Sequence, residues 1–292
     1  MPVIAEKSAT AKPFLKWAGG KTQLLNEIAA RLPNGLRTGE IDTYIEPFVG
    51  GGAVFFYIAQ NYPSIKRFYL FDINQDLVNC YNAIKTDVES IIDDLKALER
   101  KFLAKKNSSR KDFYYQIRME FNADRSPAKL IFLNKTCYNG LYRVNRNNEF
   151  NVPFGGYENP TICDEENLEA TSTVLQDVEV IAADFEGSER YINKNCFVYL
   201  DPPYRPISPT ASFTSYAKDD FAEEDQIRLA EFCRRINDKG ARLLLSNSCP
   251  NDNFFRKLYC GFTIDKVKAV RAINCRGNGR GEIDELIITN YR

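Results

Sequence analysis

The chain has 292 residues, enough for one large domain or two modest ones, and 44% of them are hydrophobic, as in a soluble globular protein. Its 39 Lys and Arg residues balance 39 Asp and Glu residues, so the overall charge does not by itself indicate a nucleic-acid partner. Because the chain contains no histidine, Ser–His and Cys–His nucleophile pairs and histidine-ligated zinc sites are excluded.

The cysteines and the amino-terminal segment indicate a reducing compartment. The eight cysteines include no CxxC pair, so neither a zinc ribbon nor a redox motif is expected. Residues 1–13 are polar and lack the apolar core of a signal peptide, and no apolar run approaches the length of a membrane span. We therefore predict a cytoplasmic protein with reduced thiols, no metal and no membrane partner.

The first predicted elements form a βαβ unit. The segment FLKWAGGK leads into a helical pattern over residues 22–32. A strand is predicted at 43–48, followed by a glycine-rich turn and a helix at 53–60. A second strand at 67–71 ends at Asp72. Strand, glycine turn, helix, strand and acid in this order are a βαβ unit.

The middle of the chain is basic and mainly helical in pattern. Residues 76–125 are charged and helical, and residues 138–149 contain turn signals that favour turns or a hairpin. Between residues 100 and 150, twelve Lys and Arg stand against four Asp and Glu, a local charge of +8, and a second basic run covers 266–280. This segregation favours a nucleic-acid-binding face, although an ordinary solvated surface remains an alternative.

Strands and helices alternate again after residue 163. The predicted elements are strands at 178–181, 196–200 and 242–246, a helix at 223–239 and a closing hairpin at 262–270 and 285–290. The pattern predicts one α/β domain formed by residues 1–75 and 164–292, interrupted by a helical, basic insert at 76–163.

The residues around the glycine turn are typical of a nucleoside site. The glycines at 50–52 let a ligand approach the backbone, and Asp72 follows the last of them by 20 residues, where dinucleotide folds place an acid on ribose hydroxyls. Position 55 is Phe rather than Gly, which disfavours a pyrophosphate and favours S-adenosylmethionine. A tight structural turn is the alternative. Trp17 would either form an aromatic wall beside an adenosine or a sulfonium or pack in the core. Lys21 would either contact a cofactor carboxylate or only begin a helix.

The segment Asp201-Pro202-Pro203-Tyr204, called here the DPPY segment, follows the apolar run at 196–200. That run predicts a buried parallel strand, and open α/β sheets bind ligands where their strands end. The two prolines lack an N–H and keep the backbone extended, so the segment presents a carboxylate, carbonyl acceptors and a ring on a stiff support. Such a support suits a planar base with an exocyclic amine, while a simple proline turn is the alternative.

Seven motifs in one order resemble the Dam-type DNA adenine-N6 methyltransferases. They are FLKWAGGK at 14–21, EPFVGGG at 46–52, FDIN at 71–74, YNGLYRVN at 138–145, EFNVPFGGY at 149–157, DPPY at 201–204 and FTSY at 213–216. The resemblance implies an α/β fold with a Rossmann-like S-adenosylmethionine-dependent methyltransferase core and an inserted, mainly helical target-recognition domain. It also implies S-adenosylmethionine as methyl donor, no metal, and double-stranded DNA, with GATC as the target sequence.

The matching motif positions imply roles for individual residues. The implied cofactor-binding residues are Trp17, Lys21, Phe48, Gly50, Asp72 and Asp201, and the implied DNA-binding residues are Lys16, Asn139, Leu141, Arg143 and Pro153. In catalysis, the Asp201 carboxylate and the Pro202 carbonyl would each accept one N6 hydrogen of an extruded adenine, on which Tyr204 would stack. One departure concerns Gly156, which stands where some members carry Arg, so a phosphate contact, flanking preference and processivity are in doubt.

Other interpretations remain open. Cytosine-N4 and protein-glutamine methyltransferases typically carry Ser or Asn in place of Asp201, so this residue favours adenine. A non-catalytic DNA-binding protein with the same fold is a second alternative, which the intact Asp72, Asp201 and Tyr204 argue against. The sequence predicts a monomer and leaves open whether a separately encoded restriction endonuclease accompanies it.

Overall fold

The computed structural model describes residues 10–106, 108–205, 221–250, 252–270 and 282–292. The FTSY motif at 213–216 and the basic loop at 271–281 lie outside these described residues.

A mainly parallel sheet forms the centre of the described protein. Its strands are β1 (Thr43–Glu46), β2 (Arg67–Asp72), β3 (Val178–Ala182), β4 (Cys196–Leu200), β5 (Arg242–Ser248), β6 (Thr263–Val270) and β7 (Glu282–Thr289). Within the described residues, these seven strands lie in the order β3-β2-β1-β4-β5-β7-β6; β7 is antiparallel to both neighbours and the other pairs are parallel. The strand order reverses between β1 and β4, so a ligand crevice is expected where these two strands end.

Apolar residues on both faces explain why β4 lies in the middle of the sheet. All five residues of Cys196–Leu200 are buried. Phe197 and Tyr199 belong to one hydrophobic cluster, whereas Val198 and Leu200 belong to the cluster on the other face. A parallel strand with both faces covered needs such a continuous apolar run, and the predicted buried strand is confirmed.

Helices cover both faces of the sheet. They are α1 (Leu25–Ala29), α2 (Gly35–Thr38), α3 (Ala53–Asn61), α4 (Gln75–Thr86), α5 (Val88–Leu103), α6 (Ser108–Asp124), α7 (Pro127–Thr136), α8 (Glu165–Leu175), α9 (Glu223–Asp238) and α10 (Phe254–Leu258). Helix α9 packs with Val198 and Leu200 on one face, and α3 to α8 pack on the other. None of the helices in the described ranges is long and apolar enough to cross a membrane.

Two predicted elements differ from the observed ones. The helix predicted at 22–32 is a 3-10 turn at Lys21–Gln23 followed by α1, because Leu24 between them has φ −92° and ψ 0°, at the edge of the helical region. The strand predicted at 43–48 ends at Glu46, because Pro47 cannot donate a ladder hydrogen bond.

The predicted turn at 146–149 is confirmed. Val144 and Phe150 form an antiparallel bridge, and the Asn145 N–H donates to the Glu149 carbonyl at 2.9 Å. The division of the chain into two domains stays a prediction. Phe132 of the middle segment shares one hydrophobic cluster with residues of the sheet, so the segment packs directly on it.

Seven cysteines lie in the described part of the chain, and all seven are free thiols. Cys80, Cys137, Cys196 and Cys233 are buried. Burial raises the pKa of the Cys137 thiol to about 11, which keeps it protonated and inert. These observations agree with the predicted reduced thiols.

Candidate active site

Asp201 and Lys21 form an ion pair at the carboxyl end of β4, inside the expected crevice. Lys21 Nζ lies 2.8 Å from Asp201 Oδ1, and the two side chains are only 7% and 16% exposed. Burial raises the pKa of Asp201 to about 6, while the Lys21 charge opposes this effect and Glu285 adds to it. Asp201 is therefore mostly ionised at neutral pH. Lys21 already approaches the buried Oδ1, but a carboxylate has about four lone-pair sites, so Asp201 keeps acceptor capacity beyond this ion pair.

Buried side chains hold the backbone that follows Asp201. Gln226 of α9 donates to the Pro203 carbonyl at 3.1 Å and accepts from Asn247 of β5 at 3.0 Å. The Ser248 hydroxyl donates to the Arg205 carbonyl at 3.0 Å. Because the two prolines of the DPPY segment cannot donate backbone hydrogen bonds, these side chains take over the role of a regular turn.

The Tyr204 side chain is fixed from two directions. Its hydroxyl donates to Glu285 Oε2 of β7 at 2.7 Å, and Lys21 Nζ lies 4.6 Å from the ring centroid. Burial, followed by the negative charges of Asp201 and Glu285, raises the pKa of Tyr204 above its ordinary value. The phenol therefore remains protonated and continues to donate to Glu285.

The glycine turn after β1 is bonded to the end of β2. Asp72 accepts hydrogen bonds from the Gly50 N–H at 3.1 Å and from the Asn74 N–H at 2.9 Å. Gly50 has φ +47°, and a Cβ there would lie 2.8 Å from Trp17 Cδ1. The turn thus needs glycine for its own packing. Burial raises the pKa of Asp72, and the two N–H donors oppose that rise; each carboxylate oxygen keeps a second lone pair for a ligand.

Glu46, the last residue of β1, is a buried acid to which the sequence assigned no role. It is 2% exposed and accepts a 2.7 Å hydrogen bond from the Tyr44 hydroxyl. Burial raises its pKa well above the ordinary value; the Tyr44 bond opposes this shift, and the charges of Asp201 and Asp72 add to it. Three carboxylates therefore lie within electrostatic reach of one another. The signal in the sequence was a Glu inside an otherwise apolar strand.

Trp17 connects the glycine turn to the middle segment. Its ring stacks on Tyr142, with 5.3 Å between centroids and 28° between planes. The Tyr142 hydroxyl donates to Asp76 at 2.8 Å, and Asp76 also pairs with Arg125 at 3.0 Å. Nearby in sequence, Ile73 is 69% exposed, an unusual position for a large apolar side chain directly after Asp72. Sequence patterns indicated neither the stack nor the exposure.

Phe48 lies on the opposite flank of the glycine turn from Trp17. Its ring centroid is 5.5 Å from that of Phe185 and 5.9 Å from that of Phe221. The predicted cofactor residues therefore lie around the carboxyl ends of β1, β2 and β4, with Phe48 half-buried in an aromatic group.

Four of the five predicted DNA contacts lie around one buried amide. Asn134 accepts from the Lys16 N–H and donates to the Lys16 and Gly140 carbonyls, each at 2.9 Å. The Tyr138 N–H donates to the Pro153 carbonyl at 2.9 Å. These bonds bring together Lys16, Asn139, Leu141 and Pro153. Tyr138, which the sequence analysis assigned no role, is 48% exposed beside them.

Arg143, the fifth predicted DNA contact, stands apart and exposed. Its Nε donates to Asn151 Oδ1 at 2.6 Å, and its Nη2 lies 3.3 Å from the Asn151 carbonyl. The guanidinium is therefore oriented by a neutral partner, and no acid in the described part of the chain forms an ion pair with it.

Some basic side chains of residues 100–150 form ion pairs within the protein. Lys129 pairs with Glu120 at 3.0 Å and with Asp124 at 2.5 Å, and Arg125 pairs with Asp76. Basic residues that remain exposed include Lys101, Lys106, Lys111 and Arg146. The count of +8 already includes Glu120 and Asp124, so only the pair of Arg125 with Asp76, which lies outside residues 100–150, lowers the local charge further.

A depression of about 440 Å³ lies at the amino ends of the strands, opposite Asp201. Its lining includes Glu40, Lys194 and Arg242. It contains none of the predicted site residues, so its size does not identify the active site. Within the described ranges, no group of three or more Cys, Asp or Glu side chains is arranged to hold a metal ion.

Residues 17–273 match the family model of the D12 class N6 adenine-specific DNA methyltransferases. The chain is 52% identical over 288 residues to Type II methyltransferase M.MjaIII of Methanocaldococcus jannaschii, covering 96% of this chain and 99% of that protein. It is 36% identical over 301 residues to Type II methyltransferase M1.LlaDCHI of Lactococcus lactis subsp. cremoris, covering 100% and 99%. A DNA adenine methylase of Vibrio cholerae is 38% identical over 282 residues, covering 94% and 95%.

A sheet of this order, with Asp72 and Asp201 at the carboxyl ends of β2 and β4, is consistent with a Rossmann-like methyltransferase fold. The chain belongs to the D12 class N6 adenine-specific DNA methyltransferase family. The predicted family, fold class and enzyme class are confirmed, and the roles of single residues stay predictions.

Proposed function

We propose that this enzyme transfers a methyl group from S-adenosylmethionine to N6 of an adenine that is flipped out of double-stranded DNA, within the sequence GATC. The observation that carries the proposal is the Asp201 carboxylate at the end of β4, paired with Lys21 and with acceptor capacity left for a substrate amine. The target sequence GATC rests on the resemblance of the recognition motifs, and relatives named DNA adenine methylase support adenine as the accepting base.

The charge of the crevice suits a cationic cofactor. Glu46, Asp72 and Asp201 bring three buried carboxylates together, and their mutual repulsion contributes to the raised pKa of Glu46. A sulfonium would offset this negative charge. When bound, S-adenosylmethionine supplies an activated methyl group on a positively charged sulfur. Asp72 would accept hydrogen bonds from ribose hydroxyls, and the exposed Ile73 would cover an adenine ring.

The DPPY segment would prepare the amine for attack. The lone pair of adenine N6 is delocalised into the ring, so the amine is a poor nucleophile. Asp201 and the Pro202 carbonyl would each accept one N6 hydrogen, which draws the nitrogen toward tetrahedral geometry. Since Lys21 lies over one face of the Tyr204 ring, the extruded base would stack on the other face.

The loop at 138–153 would read the DNA. Lys16, Asn139, Leu141 and Pro153 are held together at one surface, and the oriented Arg143 guanidinium suits a bidentate contact with guanine O6 and N7. Relatives named Type II methyltransferases favour a restriction–modification context with a separately encoded endonuclease. We further infer that the enzyme acts as a cytoplasmic monomer, because one chain carries both the crevice and the reading loop.

The decisive experiment measures tritium transfer from labelled S-adenosylmethionine to a GATC duplex and to a duplex in which the adenine is replaced. Asp201→Ala is expected to lower the single-turnover rate by about 10³-fold or more, because both an acceptor and a charge are lost. Asp238→Ala, an exposed acid at the end of α9, is the matched control and should act like wild type.

Near-normal transfer by Asp201→Ala would show that the role given to Asp201 is wrong. Equal methylation of duplexes without GATC would refute the target sequence. DNA binding by wild-type protein without any transfer would favour the alternative of a non-catalytic DNA-binding protein.

A further inference from the structure

Glu285 reaches the active site from the far end of the chain. It lies on β7, opposite Ser248 of β5 in the antiparallel ladder, and is 8% exposed. Its Oε2 accepts the 2.7 Å hydrogen bond from the Tyr204 hydroxyl, across 81 residues of sequence. The aromatic ring of the DPPY segment is therefore attached to a strand that carries none of the predicted site residues.

The hydrogen bond between Tyr204 and Glu285 is of a strong type. A hydrogen bond from a phenol to a buried carboxylate is charge-assisted and about twice as strong as one between neutral groups. The phenol also keeps its proton over the working pH range, because burial raises the pKa of Tyr204. The ring is thus held in one plane rather than free to turn about its side-chain bonds.

The other buried contacts act on different atoms. Gln226 and Ser248 bond to backbone carbonyls on either side of Tyr204, whereas Glu285 bonds to the ring itself. Loss of the Glu285 carboxylate would accordingly leave the backbone of the segment in place while freeing the ring.

We propose that Glu285 is a positioning residue for the target base: it holds the Tyr204 ring in the plane on which the extruded adenine stacks, so that N6 meets Asp201. The proposal rests on the function proposed above. It assigns Glu285 no contact with the substrate; its effect passes through Tyr204.

The test compares Glu285→Leu, Glu285→Gln, Tyr204→Phe and the double variant Tyr204→Phe/Glu285→Leu. Asp284→Asn is the control, an exposed acid on the same strand that pairs with Lys266 and Lys268. Single-turnover transfer to a GATC duplex measures the chemical step. Fluorescence of a duplex carrying 2-aminopurine at the target adenine reports the stacking of the extruded base, and thermal unfolding reports the fold.

Glu285→Leu is expected to lower the transfer rate about 10- to 100-fold and to change the 2-aminopurine signal. Glu285→Gln keeps an acceptor and loses the charge, so its transfer rate should fall less, by roughly 2- to 10-fold. Affinity for S-adenosylmethionine should stay within about 2-fold of wild type, because the cofactor residues are unchanged. The double variant should be no slower than the slower single variant, since removing both partners leaves no unpaired group.

Losses that add in the double variant, or an unchanged 2-aminopurine signal in a slower Glu285→Leu protein, would overturn the proposal. So would wild-type rates in a folded Glu285→Leu variant together with wild-type fluorescence. Wild-type protein that methylates no adenine would instead refute the proposed function itself, which separates the two failures.

Discussion

Replacing Lys21 by Met should move the pH dependence of catalysis. The change removes the ammonium 2.8 Å from Asp201 Oδ1 but keeps an unbranched side chain of similar length. In the native protein, burial raises the pKa of Asp201 to about 6, and the positive charge of Lys21 limits that rise. Without the ammonium, the largest of the effects that lower the pKa of Asp201 is lost, and burial and the Glu285 charge still raise it.

The expected size follows from the burial of the pair. A close opposite charge lowers the pKa of a carboxyl group by about 1 to 3 pH units, so its removal should raise the pKa of Asp201 by a similar amount. The ionised carboxylate is the better acceptor for the N6 hydrogen; activity is therefore present above this pKa and lost as the pH falls through it. At pH 7 roughly 90% of Asp201 is ionised in the native enzyme, against about 50% to 1% in the variant, a loss of roughly 2- to 100-fold in rate.

The assay is a profile of kcat/KM from pH 5 to 9.5 on a GATC duplex, whose acid limb reports the free enzyme. The limb should move to higher pH in Lys21→Met, and the rate should recover in alkaline buffer. Lys96→Met, which breaks an exposed pair with Glu165, is the control and should leave the limb in place. An acid limb that stays near pH 6, or no recovery at pH 9 in a folded variant, would refute the electrostatic reasoning.

Two further substitutions test the glycine turn and the reading loop. Gly50→Ala should lower the free energy of unfolding by about 1–3 kcal/mol in chemical denaturation, because φ is +47° and the new Cβ would lie 2.8 Å from Trp17. Gly261→Ala, at φ +95° with no heavy atom within 4 Å, isolates the backbone part, and equal losses would show that the contact with Trp17 costs nothing. Arg143→Ala should cost about 1–3 kcal/mol of discrimination at one base pair, measured on duplexes with single changes in GATC. Uniform weakening on every sequence would instead identify a phosphate contact.

The elements that could be predicted from the sequence are those specified by residues that are neighbours in the chain. The five residues of β4 are apolar and buried on both sides, and the three glycines at 50–52 follow a short apolar strand, so both were visible in the sequence. The break in the helix predicted at 22–32 was not, because the residue types around Leu24 give no signal for its conformation at the edge of the helical region. The basic count over 100–150 overstated the local charge, because Arg125 pairs in the folded protein with Asp76, an acid outside that range.

The sequence by itself determined the class of chemistry. It contains no histidine, it places Asp72 and Asp201 directly at strand ends, and its motif order indicates a DNA adenine methyltransferase. These features depend on residue type and short spacing, which can be read directly from the sequence.

Only the tertiary structure decided which side chains hold the DPPY segment and which charges surround it. The partners of Asp201 and Tyr204 are Lys21 and Glu285, which come from opposite ends of the chain. Glu46 becomes part of the acidic crevice only because β1 and β4 are neighbours in the sheet. Contacts of this kind follow from the packing of whole elements, since no local pattern encodes which distant side chain will lie within 3 Å of another.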